Sequence, residues 1–518
     1  MIIRFNNYHN NIPKPSFQSS RAINKNYGLG EKLSADSFQM SVGYVNDIHG
    51  QTNNQLRILS GLEGDIRVSA GDDQIGNEQN LPTNKATVSF LDSANIIARA
   101  IGNHEMDTSV DNFCELNGGH KTTLLAVNIR EKEECCHKTP FNEIKQNSIV
   151  TEVNGEKVGI LGACPNDLRE RIIKPDVLND CELDDYEKTV LKIIEEVEKL
   201  KAQGINKIFL LSHLGHDKNK NIAENIDGID VIIGGHSHEL FKDIKEGENL
   251  IYSPSGEPVV ITQAGKDGHH FGLLNIEFDK NGVITKAQNN IKQTRNFPKN
   301  FVQEYISNLF LGKPEVVGEI KSVVPISDNA LINENPHANF ICDAMREITG
   351  ADIGLWNNAA TRNAFHVGKI NNREVKDIAP FADDVVIIPL SEKDIVDGFN
   401  SAIKRSYNCD NHKPGFHAVS GLNYTVSKSK QKLVAMNFID KEGNLHSIDV
   451  NNPRADKIYS VATDKFIAKG GDNLPMFNKL NEATKIYPYS KNVMVCDYLK
   501  QQTEPVEINQ IGRITVID

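Results

Sequence analysis

The sequence predicts an α/β protein built from two large domains. Between about residues 38 and 280, apolar runs of strand length alternate with segments of helical periodicity, which is typical of a sheet covered by helices. The runs read "FQMSVGYV", "IRVSAGD", "IIARAIGN", "KIFLLSH", "DVIIGGH" and "VVITQAG". A chain of 518 residues is also too long for one hydrophobic core, so a second domain is expected.

One helix and one hairpin are well marked in the first half. The helix begins near Asp184 and stops at Gly204, because glycine ends helices readily. Its apolar positions share one face at helical spacing: Tyr186, Val190, Ile193, Ile194, Val197 and Leu200. The pair Asn154 and Gly155, between two apolar stretches, predicts a tight hairpin turn.

The boundary between the domains is predicted where the polar run "NNIKQTRNFPKN" leads into the helix-like "FVQEYISNLFLG". We assign residues 38–290 to the first domain, 291–315 to a linker that contains a helix, and 316–518 to the second domain. The second domain opens with a helix over "ANFICDAMREITG" that ends at Gly350. Residues 1–37 form a polar tail that we expect to be disordered.

The composition excludes several classes of partner. The chain carries 57 Lys and Arg against 69 Asp and Glu, a formal net charge of −12, whereas nucleic-acid binders normally show a basic surface. No apolar run approaches the roughly 18 residues that cross a bilayer, and the N-terminus lacks a secretory signal pattern. We therefore expect no nucleic-acid or membrane partner and a cytoplasmic location. The eight cysteines show no metal-ligand or disulfide spacing.

Metal-competent side chains follow the apolar runs. In "VNDIHG", Asp47 and His49 come two residues apart, and in an extended strand such residues point to the same side. Four later runs end in further candidates: Asp72, Asn103, His104, His213, His236 and His238. Any one of these alone is better explained as a capping Asp or a surface His. Because ligands gather at the carboxyl ends of strands in such sheets, the five segments together predict one shared site.

These groups suit a two-metal hydrolytic centre. The carboxylate of Asp72 can bridge two ions through its two oxygens, and imidazoles and other oxygens can fill the remaining positions. This mixed donor set suits Zn, Mn, Fe or Co better than Ca or Mg. Two such ions about 4 Å apart clamp an in-line displacement, and they also let an acidic protein hold an anion. The sequence therefore predicts phosphoester hydrolysis.

The same segments carry a resemblance to a known family. "VNDIHG", "AGDD", "GNHEMD", "SHLGHD" and "GGHSHE" resemble the five motifs of the calcineurin-like metallophosphoesterases. "ANFICDAMR", "TGADIGLWNNAATR", "PFADD", "HAVSGLNYTV" and "VATDKFIAKGGDNLPMF" resemble the C-terminal domain of 5'-nucleotidases. The resemblance covers roughly residues 40–518. It implies an N-terminal αββα sandwich followed by an α/β substrate-binding domain.

The resemblance also implies a role for each candidate in the first domain. One ion would be held by Asp47, His49, Asp72 and His238. The second ion would be held by Asp72, Asn103, His213 and His236. His104 would act on the substrate, by stabilising the phosphoryl transition state or protonating the leaving group, and Asp107 would orient its ring.

In the second domain, the resemblance implies four substrate-binding residues. Phe381 and Phe466 would stack on either side of a nucleotide base, Arg362 would bind anionic oxygens, and Asp472 would contact the ribose. Two segments depart from the family pattern. "NNAATR" replaces the glycines of the usual "NGGGIR", which favours a different loop course because alanine does not adopt positive φ readily. "PFADD" adds a carboxylate after Phe381.

Three functions stay open at this level. The favoured one is a hydrolase that releases phosphate from nucleoside 5'-monophosphates. The second is a related activity: a 2',3'-cyclic-nucleotide 2'-phosphodiesterase with 3'-nucleotidase activity, a nucleotide-sugar hydrolase, or a phosphatase for a non-nucleotide substrate. The third is a non-catalytic binding module, against which the complete ligand set argues. In the first two cases the partner is a small phosphoester; the sequence leaves the oligomeric state open.

Overall fold

The computed structural model describes residues 37–76, 78–132, 141–172, 175–327, 329–408 and 415–518. These residues form two compact units. The first contains 37–49, Asn54–Gln74 and Asn84–Tyr305, and the second contains Gly50–Asn53, Ile75–Thr83 and Ile306–Asp518. Two short segments from the first half of the chain therefore belong to the second unit. The predicted tail, except for Ser37, lies outside the described residues.

The elements up to residue 296 alternate between strands and helices. The strands are β1 (Phe38–Val45), β2 (Ile66–Ser69), β3 (Ala98–Ala100), β4 (Thr123–Leu125), β5 (Ile129–Glu131), β6 (Lys145–Gln146), β7 (Ser148–Val153), β8 (Glu156–Ala163), β9 (Cys181–Leu183), β10 (Ile208–Ser212), β11 (Val231–Gly234), β12 (Leu250–Tyr252), β13 (Pro258–Thr262), β14 (His270–Phe278) and β15 (Ile284–Gln293). The helices are α1 (Thr52–Ile58), α2 (Leu81–Ser93), α3 (Val110–Asn117), α4 (Phe141–Ile144), α5 (Leu168–Arg171), α6 (Tyr186–Ala202) and α7 (His216–Asn225). Short 3₁₀ turns lie at Glu78–Asn80, His104–Met106, Pro175–Asp180 and Thr294–Asn296.

The first unit is built around two mixed sheets. In the described residues, the first sheet has the strand order β15-β14-β1-β2-β3-β4-β6 and the second has the order β12-β13-β11-β10-β8-β7. The central neighbours β1, β2, β3 and β4 are parallel, as are β8, β10, β11 and β13. The carboxyl ends of the parallel strands in each sheet therefore meet along one edge.

The two sheets pack face to face and are covered by helices. Side chains from both sheets share one buried core, which includes Val42 and Val68 from the first sheet and Phe209 and Ile233 from the second. A second core joins the outer face of the β8–β13 sheet to α6 and α7. A third joins Val45 and neighbours to α1 and α2. This is the predicted αββα sandwich, and the fold class is confirmed.

The main segment of the second unit begins within α8 (Phe301–Leu311). Its strands are β16 (Val316–Val323), β17 (Ile353–Asn357), β18 (Gly368–Asn371), β19 (Asp384–Ser391), β20 (His417–Ser420), β21 (Leu422–Ser427), β22 (Lys432–Ile439), β23 (Leu445–Ile448), β24 (Ile458–Asp464), β25 (Lys485–Ser490), β26 (Val506–Ile508) and β27 (Ile514–Ile517). Its helices are α9 (Pro336–Thr349), α10 (Asn372–Ile378), α11 (Glu392–Asn408), α12 (Lys465–Ala468) and α13 (Lys491–Lys500), with 3₁₀ turns at Asn358–Ala360, Gly471–Asn473, Pro475–Phe477 and Leu480–Glu482.

A mixed sheet forms the centre of the second unit. Its described strands run in the order β20-β17-β24-β19-β25, beside smaller sheets ordered β23-β22-β21-β27 and β18-β16-β26. One continuous core packs α9, α11 and α13 against these sheets. Helix α9 starts where Asn335 accepts hydrogen bonds from the next backbone N–H groups, and it ends at Gly350 with φ +69°. The predicted α/β substrate domain has this architecture.

The local predictions match the observed elements closely. Helix α6 ends just before Gly204, and its predicted apolar face packs on the second sheet. Asn154 and Gly155 form a two-residue turn between β7 and β8, both with positive φ. Strand β15 continues to Gln293, so the first residues of the predicted linker belong to the sheet. Among the described residues, no helix is long and apolar enough to cross a membrane.

Candidate functional site

The predicted metal ligands lie in loops just beyond the strands. The sequence suggested that Asp47 and His49 share one side of an extended strand, but β1 ends at Val45. Both residues instead adopt left-handed backbone, with φ +49° and +51°. Three other candidates do the same: Asp72, His236 and His238. Left-handed conformations of non-glycine residues are costly and cluster at functional sites, so the loops rather than strand alternation aim these side chains.

A buried carboxylate and backbone hydrogen bonds hold the strained loops. The backbone N–H groups of Asp47 and His49 donate to the carbonyls of Gly71 and Asp72, both at 2.9 Å. The Glu105 carboxylate accepts from four backbone N–H groups at 2.8–3.1 Å: those of Asp72, Asp73, Gln74 and Gly102. Charge-assisted bonds of this kind are the strong ones, and they stabilise the loop that presents Asp72.

Several ligand atoms converge on the Asp47 and Asp72 carboxylates. His238 Nε2 lies 3.4 Å from Asp47 Oδ1, and His49 Nε2 lies 3.6 Å from Asp72 Oδ2. His213 Nε2 lies 3.1 Å from Asp72 Oδ2 and 3.7 Å from Asp47 Oδ1. Among the described residues, three groups are compact enough to hold a cation: Asp47, His49 and His238; Asp47, Asp72 and His213; and His49, Asp72 and His104.

Asn103 and His236 approach one another beside this cluster. His236 Nδ1 lies 3.1 Å from Asn103 Oδ1, while its Nε2 lies 3.5 Å from an oxygen of Asp167. His236 thus faces the predicted ligand Asn103 with Nδ1 and a carboxylate with Nε2. In His49, His104 and His213 the Nδ1 atom also faces an acceptor, but that acceptor lies outside the predicted ligand set. All seven predicted ligands therefore lie in one region of the first unit.

The cluster fits a divalent cation. The Nε2 atoms of His49 and His213 are buried and have no hydrogen-bond partner in the described part of the chain. Their Nδ1 atoms are occupied, by Asp267 at 2.9 Å and by the Ala70 carbonyl at 2.7 Å. A buried nitrogen without a partner costs free energy unless something else satisfies it. A cation between the two carboxylates would satisfy both nitrogens, and on His213 it would replace the proton that Asp72 and Asp47 otherwise stabilise.

The electrostatics agree with a site for positive charge. Burial alone would raise the pKa of Asp47, but the neighbouring His213 and His238 lower it to about 2. Burial acts to lower the pKa of His213, but Asp72 and Asp47 raise it to about 10. Desolvation lowers the pKa of His238 to about 4. The carboxylates are therefore ionised at neutral pH and attract cationic groups.

His104 and Asp107 form the predicted imidazole–carboxylate pair. His104 Nδ1 lies 2.6 Å from Asp107 Oδ2, and the Asp107 side chain is fully buried. The His104 side chain keeps 13% of its surface exposed and its ring centroid lies 5.2 Å from that of His49. His104 is therefore both oriented and accessible to a small molecule, as a proton-transfer group must be.

The second unit holds the four predicted substrate residues in half-buried positions. The Arg362 guanidinium lies over the Phe381 ring, 5.3 Å from its centroid. Asp472 has φ +56° and accepts a 2.8 Å hydrogen bond from Asn357 Nδ2. Phe466 lies on α12, and both phenylalanines pack against the core of this unit.

A buried lysine braces the segments that carry the two phenylalanines. Lys491 Nζ donates to the Phe381 carbonyl and pairs with the Asp464 carboxylate, both at 2.8 Å. Asp464 in turn caps the N-terminus of α12, which carries Phe466. The Lys491 side chain is fully buried, so its charge is shielded from solvent beside these partners and the Trp356 ring, 5.2 Å away.

The segment "NNAATR", which has no glycine, forms a tight turn. Asn358–Ala360 form a 3₁₀ turn, and none of the described residues from 357 to 362 has positive φ. The turn is stabilised by Asn358, whose side-chain amide donates to the carbonyls of Ala330 and Asn333. Alanine is compatible with this turn because every φ is negative.

Three residues of the centre were missed from the sequence. Asp267 contacts His49, Asp167 faces His236, and Asn46 donates a 2.7 Å hydrogen bond to Asp47 Oδ2. Asp267 follows the apolar run "VVITQAG", so a search for acidic groups a few residues beyond every strand could have found it. Asp167 lies a few residues beyond Ala163, the last residue of β8, so the same search could have found it too.

Each half of the chain matches a known protein family. Residues 40–240 match the calcineurin-like phosphoesterase family, and residues 316–479 match the 5'-nucleotidase C-terminal domain. Residues 40–240 therefore form a calcineurin-like phosphoesterase domain, and residues 316–479 form a 5'-nucleotidase C-terminal domain. The predicted class, a metal-dependent phosphoester hydrolase, is confirmed at this level, and the family implies divalent metal ions.

Individual relatives agree with this assignment. The chain is 25% identical over 542 residues to the trifunctional nucleotide phosphoesterase protein YfkN of Bacillus subtilis, a match that spans 92% of this chain but only 35% of that protein. It is 26% identical over 419 residues to the human 5'-nucleotidase, covering 75% of this chain and 71% of the relative. The crystal structure of a 5'-nucleotidase precursor from Thermus thermophilus covers 93% of this chain and 100% of that chain, with a TM-score of 0.72 and 23% identity, which supports the fold.

Proposed function

We propose that the protein releases phosphate from nucleoside 5'-monophosphates with a centre of two divalent ions. The observation that carries this proposal is the buried cluster in the first unit, in which two imidazole nitrogens without hydrogen-bond partners among the described residues point at two carboxylates. The C-terminal domain match and the printed names of the 5'-nucleotidase relatives support a nucleotide as the substrate.

We assign to each ion the ligand set that the family resemblance implies. One ion would be held by Asp47, His49, Asp72 and His238. The other would be held by Asp72, Asn103, His213 and His236. When bound, two such ions supply Lewis-acid chemistry that offsets negative charge on phosphoryl oxygens during in-line displacement. The mixed nitrogen and oxygen donors favour Zn, Mn, Fe or Co.

His104 supplies the proton-transfer chemistry in this proposal. Because Nδ1 of His104 donates to Asp107, the Nε2 atom is the one that can carry a proton to the substrate. During hydrolysis the bond between phosphorus and the ester oxygen breaks, while the oxygen of a water forms a new bond to phosphorus. The departing ester oxygen takes the Nε2 proton of His104 in its imidazolium form, and the attacking water releases one proton that restores the imidazolium. The products are an alcohol and hydrogen phosphate.

The second unit would select the substrate. Phe381 and Phe466 would stack on the base, Asp472 would contact the ribose, and Arg362 would bind anionic oxygens. The hydrogen bond from Asn357 orients the Asp472 carboxylate, which would accept from a ribose hydroxyl.

One observation favours a second candidate, a phosphatase for a non-nucleotide substrate. The Arg362 guanidinium covers one face of the Phe381 ring, and a cation over an aromatic ring is itself stabilising. A base that stacked on this face would have to displace Arg362. A substrate without a base would leave the pair intact.

A substrate screen with defined metals tests the proposal. The protein is stripped of metal, reloaded separately with Zn²⁺, Mn²⁺, Fe²⁺ or Co²⁺, and assayed for phosphate release. The substrates are a nucleoside 5'-monophosphate, a 2',3'-cyclic nucleotide, a nucleotide sugar and an aryl phosphate. We expect two ions per chain and the highest kcat/KM with the 5'-monophosphate. A preference for the aryl phosphate would favour the second candidate, and no turnover with any metal would contradict both.

A further inference from the structure

Asp267 touches two predicted metal ligands at once. It lies in the loop after β13, is 1% exposed, and has left-handed backbone with φ +56°. Its backbone N–H donates to the Asp47 carbonyl at 2.6 Å, and its Oδ1 lies 2.9 Å from His49 Nδ1. Its own carbonyl accepts a 2.8 Å hydrogen bond from Asn54. The loop is therefore tied to the segment that carries Asp47 and His49.

The contact with Asp267 determines which nitrogen of His49 carries the proton. A carboxylate accepts, so Nδ1 must be the protonated nitrogen, and Nε2 keeps its lone pair. That Nε2 atom is buried without a hydrogen-bond partner in the described ranges, 3.9 Å from Asp47 Oδ1 and 3.6 Å from Asp72 Oδ2. The other tautomer would place a hydrogen between these carboxylates and leave no lone pair for an ion.

We propose that Asp267 is a positioning residue that fixes the tautomer and ring orientation of His49 for one of the two ions. The inference rests on the dinuclear centre of the proposed function. Histidines that bind metals typically donate their other N–H to such an outer acceptor, which also raises their basicity. His213 uses the neutral carbonyl of Ala70 instead, at 2.7 Å. Asp267 therefore acts on the His49 ion and not on the His213 ion.

Two substitutions separate this role from general support of the loop. Asp267→Gly removes the carboxylate but tolerates φ +56°. Asp267→Asn keeps the shape and an acceptor oxygen but removes the charge. We expect Asp267→Gly to bind one Zn²⁺ about 10- to 100-fold more weakly and the other Zn²⁺ as the wild type does. Asp267→Asn should show a smaller loss of affinity for the same Zn²⁺. Chelator competition with the metal-free proteins measures both affinities.

Two further readouts distinguish positioning from loss of structure. Asn95→Gly is the matched control, because Asn95 also has positive φ, at +54°, but is exposed. Without metal, both glycine variants should have melting temperatures close to that of the metal-free wild type. Selective ¹⁵N labelling of histidine should show His49 protonated at Nδ1 in the wild type and a mixture of tautomers in Asp267→Gly. If Asp267→Gly does not fold, Asp267→Asn is used alone. We then expect weaker binding of one Zn²⁺ and unchanged binding of the other.

The outcomes separate this inference from the proposed function. If the wild type binds fewer than two Zn²⁺, the dinuclear centre is wrong and the role of Asp267 is wrong with it. If the wild type binds two but the Asp267 variants bind both normally, only the role of Asp267 is overturned. An equal loss of affinity for both Zn²⁺ ions would also overturn the proposed role, because Asp267 would then support the whole loop and not His49 in particular.

Discussion

Most of the predicted metal ligands in the first unit are buried, whereas the predicted substrate residues in the second unit are half-buried. Asp47, His49 and His213 are fully buried, and the backbone around them is fixed by hydrogen bonds to neighbouring loops. Arg362 and Phe381 are half-buried and lie against each other at the surface of their unit. The proposed chemistry would therefore depend on a buried cluster with strained backbone, whereas the proposed substrate recognition would depend on partly exposed side chains.

The largest effect is expected from removing the ligand shared by both ions. Asp72→Asn should lower turnover by about 1,000-fold or more, because a neutral amide bridges two cations poorly and several kcal/mol of charge stabilisation are lost. Elemental analysis should show loss of both metals. The matched control is Asp65→Asn, which alters a carboxylate that accepts hydrogen bonds from Ser41 in the same unit. Wild-type turnover in Asp72→Asn would contradict the bridging role.

His104→Ala should leave the metals in place and lower kcat by about 100- to 10,000-fold, because it removes a positioned proton donor. Metal content is measured beside kcat in the same preparations. His120→Ala is the matched control, since His120 also pairs with an aspartate, Asp92, but lies at the surface. Loss of an ion from His104→Ala would instead make His104 a ligand, as its position beside His49 and Asp72 would also allow.

Replacing both Phe381 and Phe466 with Ala tests the proposed substrate recognition by the second unit. If each ring contributes about 1 to 3 kcal/mol of stacking, kcat/KM for a nucleoside 5'-monophosphate should fall by about 10-fold or more. Hydrolysis of an aryl phosphate should change little. Phe438→Ala is the control for packing, because Phe438 is also half-buried against the core of the second unit.

A pH-dependent loss of stability is expected in the second unit. His417 is fully buried, and burial lowers its pKa from 6.5 to about 4 despite the opposing charge of Asp472. As pH falls from about 6.5 to about 4, the unfolded chain binds a proton that the folded unit does not, so folding is destabilised by up to about 3 kcal/mol. Above pH 6.5 the effect should be absent.

Denaturant unfolding of the metal-free protein at pH 7 and pH 4.5 measures this loss. His417→Leu should show a smaller drop in stability between the two pH values than the wild type, because leucine does not titrate. An equal drop in both proteins would mean that His417 does not carry the effect.

The strand-end ligands could be predicted because an apolar run followed by Asp or His has a simple geometric consequence in a parallel sheet. What the sequence did not reveal depends on long-range contacts. The left-handed backbone of Asp47 and His49 has no signal in residue type, and it is held by Gly71 and Asp72 from another loop. The role of Asp267 likewise arises only because the chain returns beside His49, 218 residues away.

In the second unit the sequence correctly indicated that "NNAATR" departs from the glycine-rich pattern. It could not predict that Arg362 would lie over Phe381, because that contact joins two loops. The sequence also could not predict that Gly50–Asn53 and Ile75–Thr83 belong to the second unit, since segments of the first unit precede and follow both. Substrate selectivity is thus the part of the function that most needs measurement.

The most direct test compares one ratio in two variants: kcat/KM for a nucleoside 5'-monophosphate divided by kcat/KM for an aryl phosphate. In Asp72→Asn both rates should fall together, so the ratio should stay at its wild-type value. In the Phe381→Ala, Phe466→Ala double variant only the nucleotide rate should fall, so the ratio should drop by about 10-fold or more. A ratio that shifts in Asp72→Asn, or stays constant in the double variant, would contradict the division between a catalytic first unit and a substrate-selecting second unit.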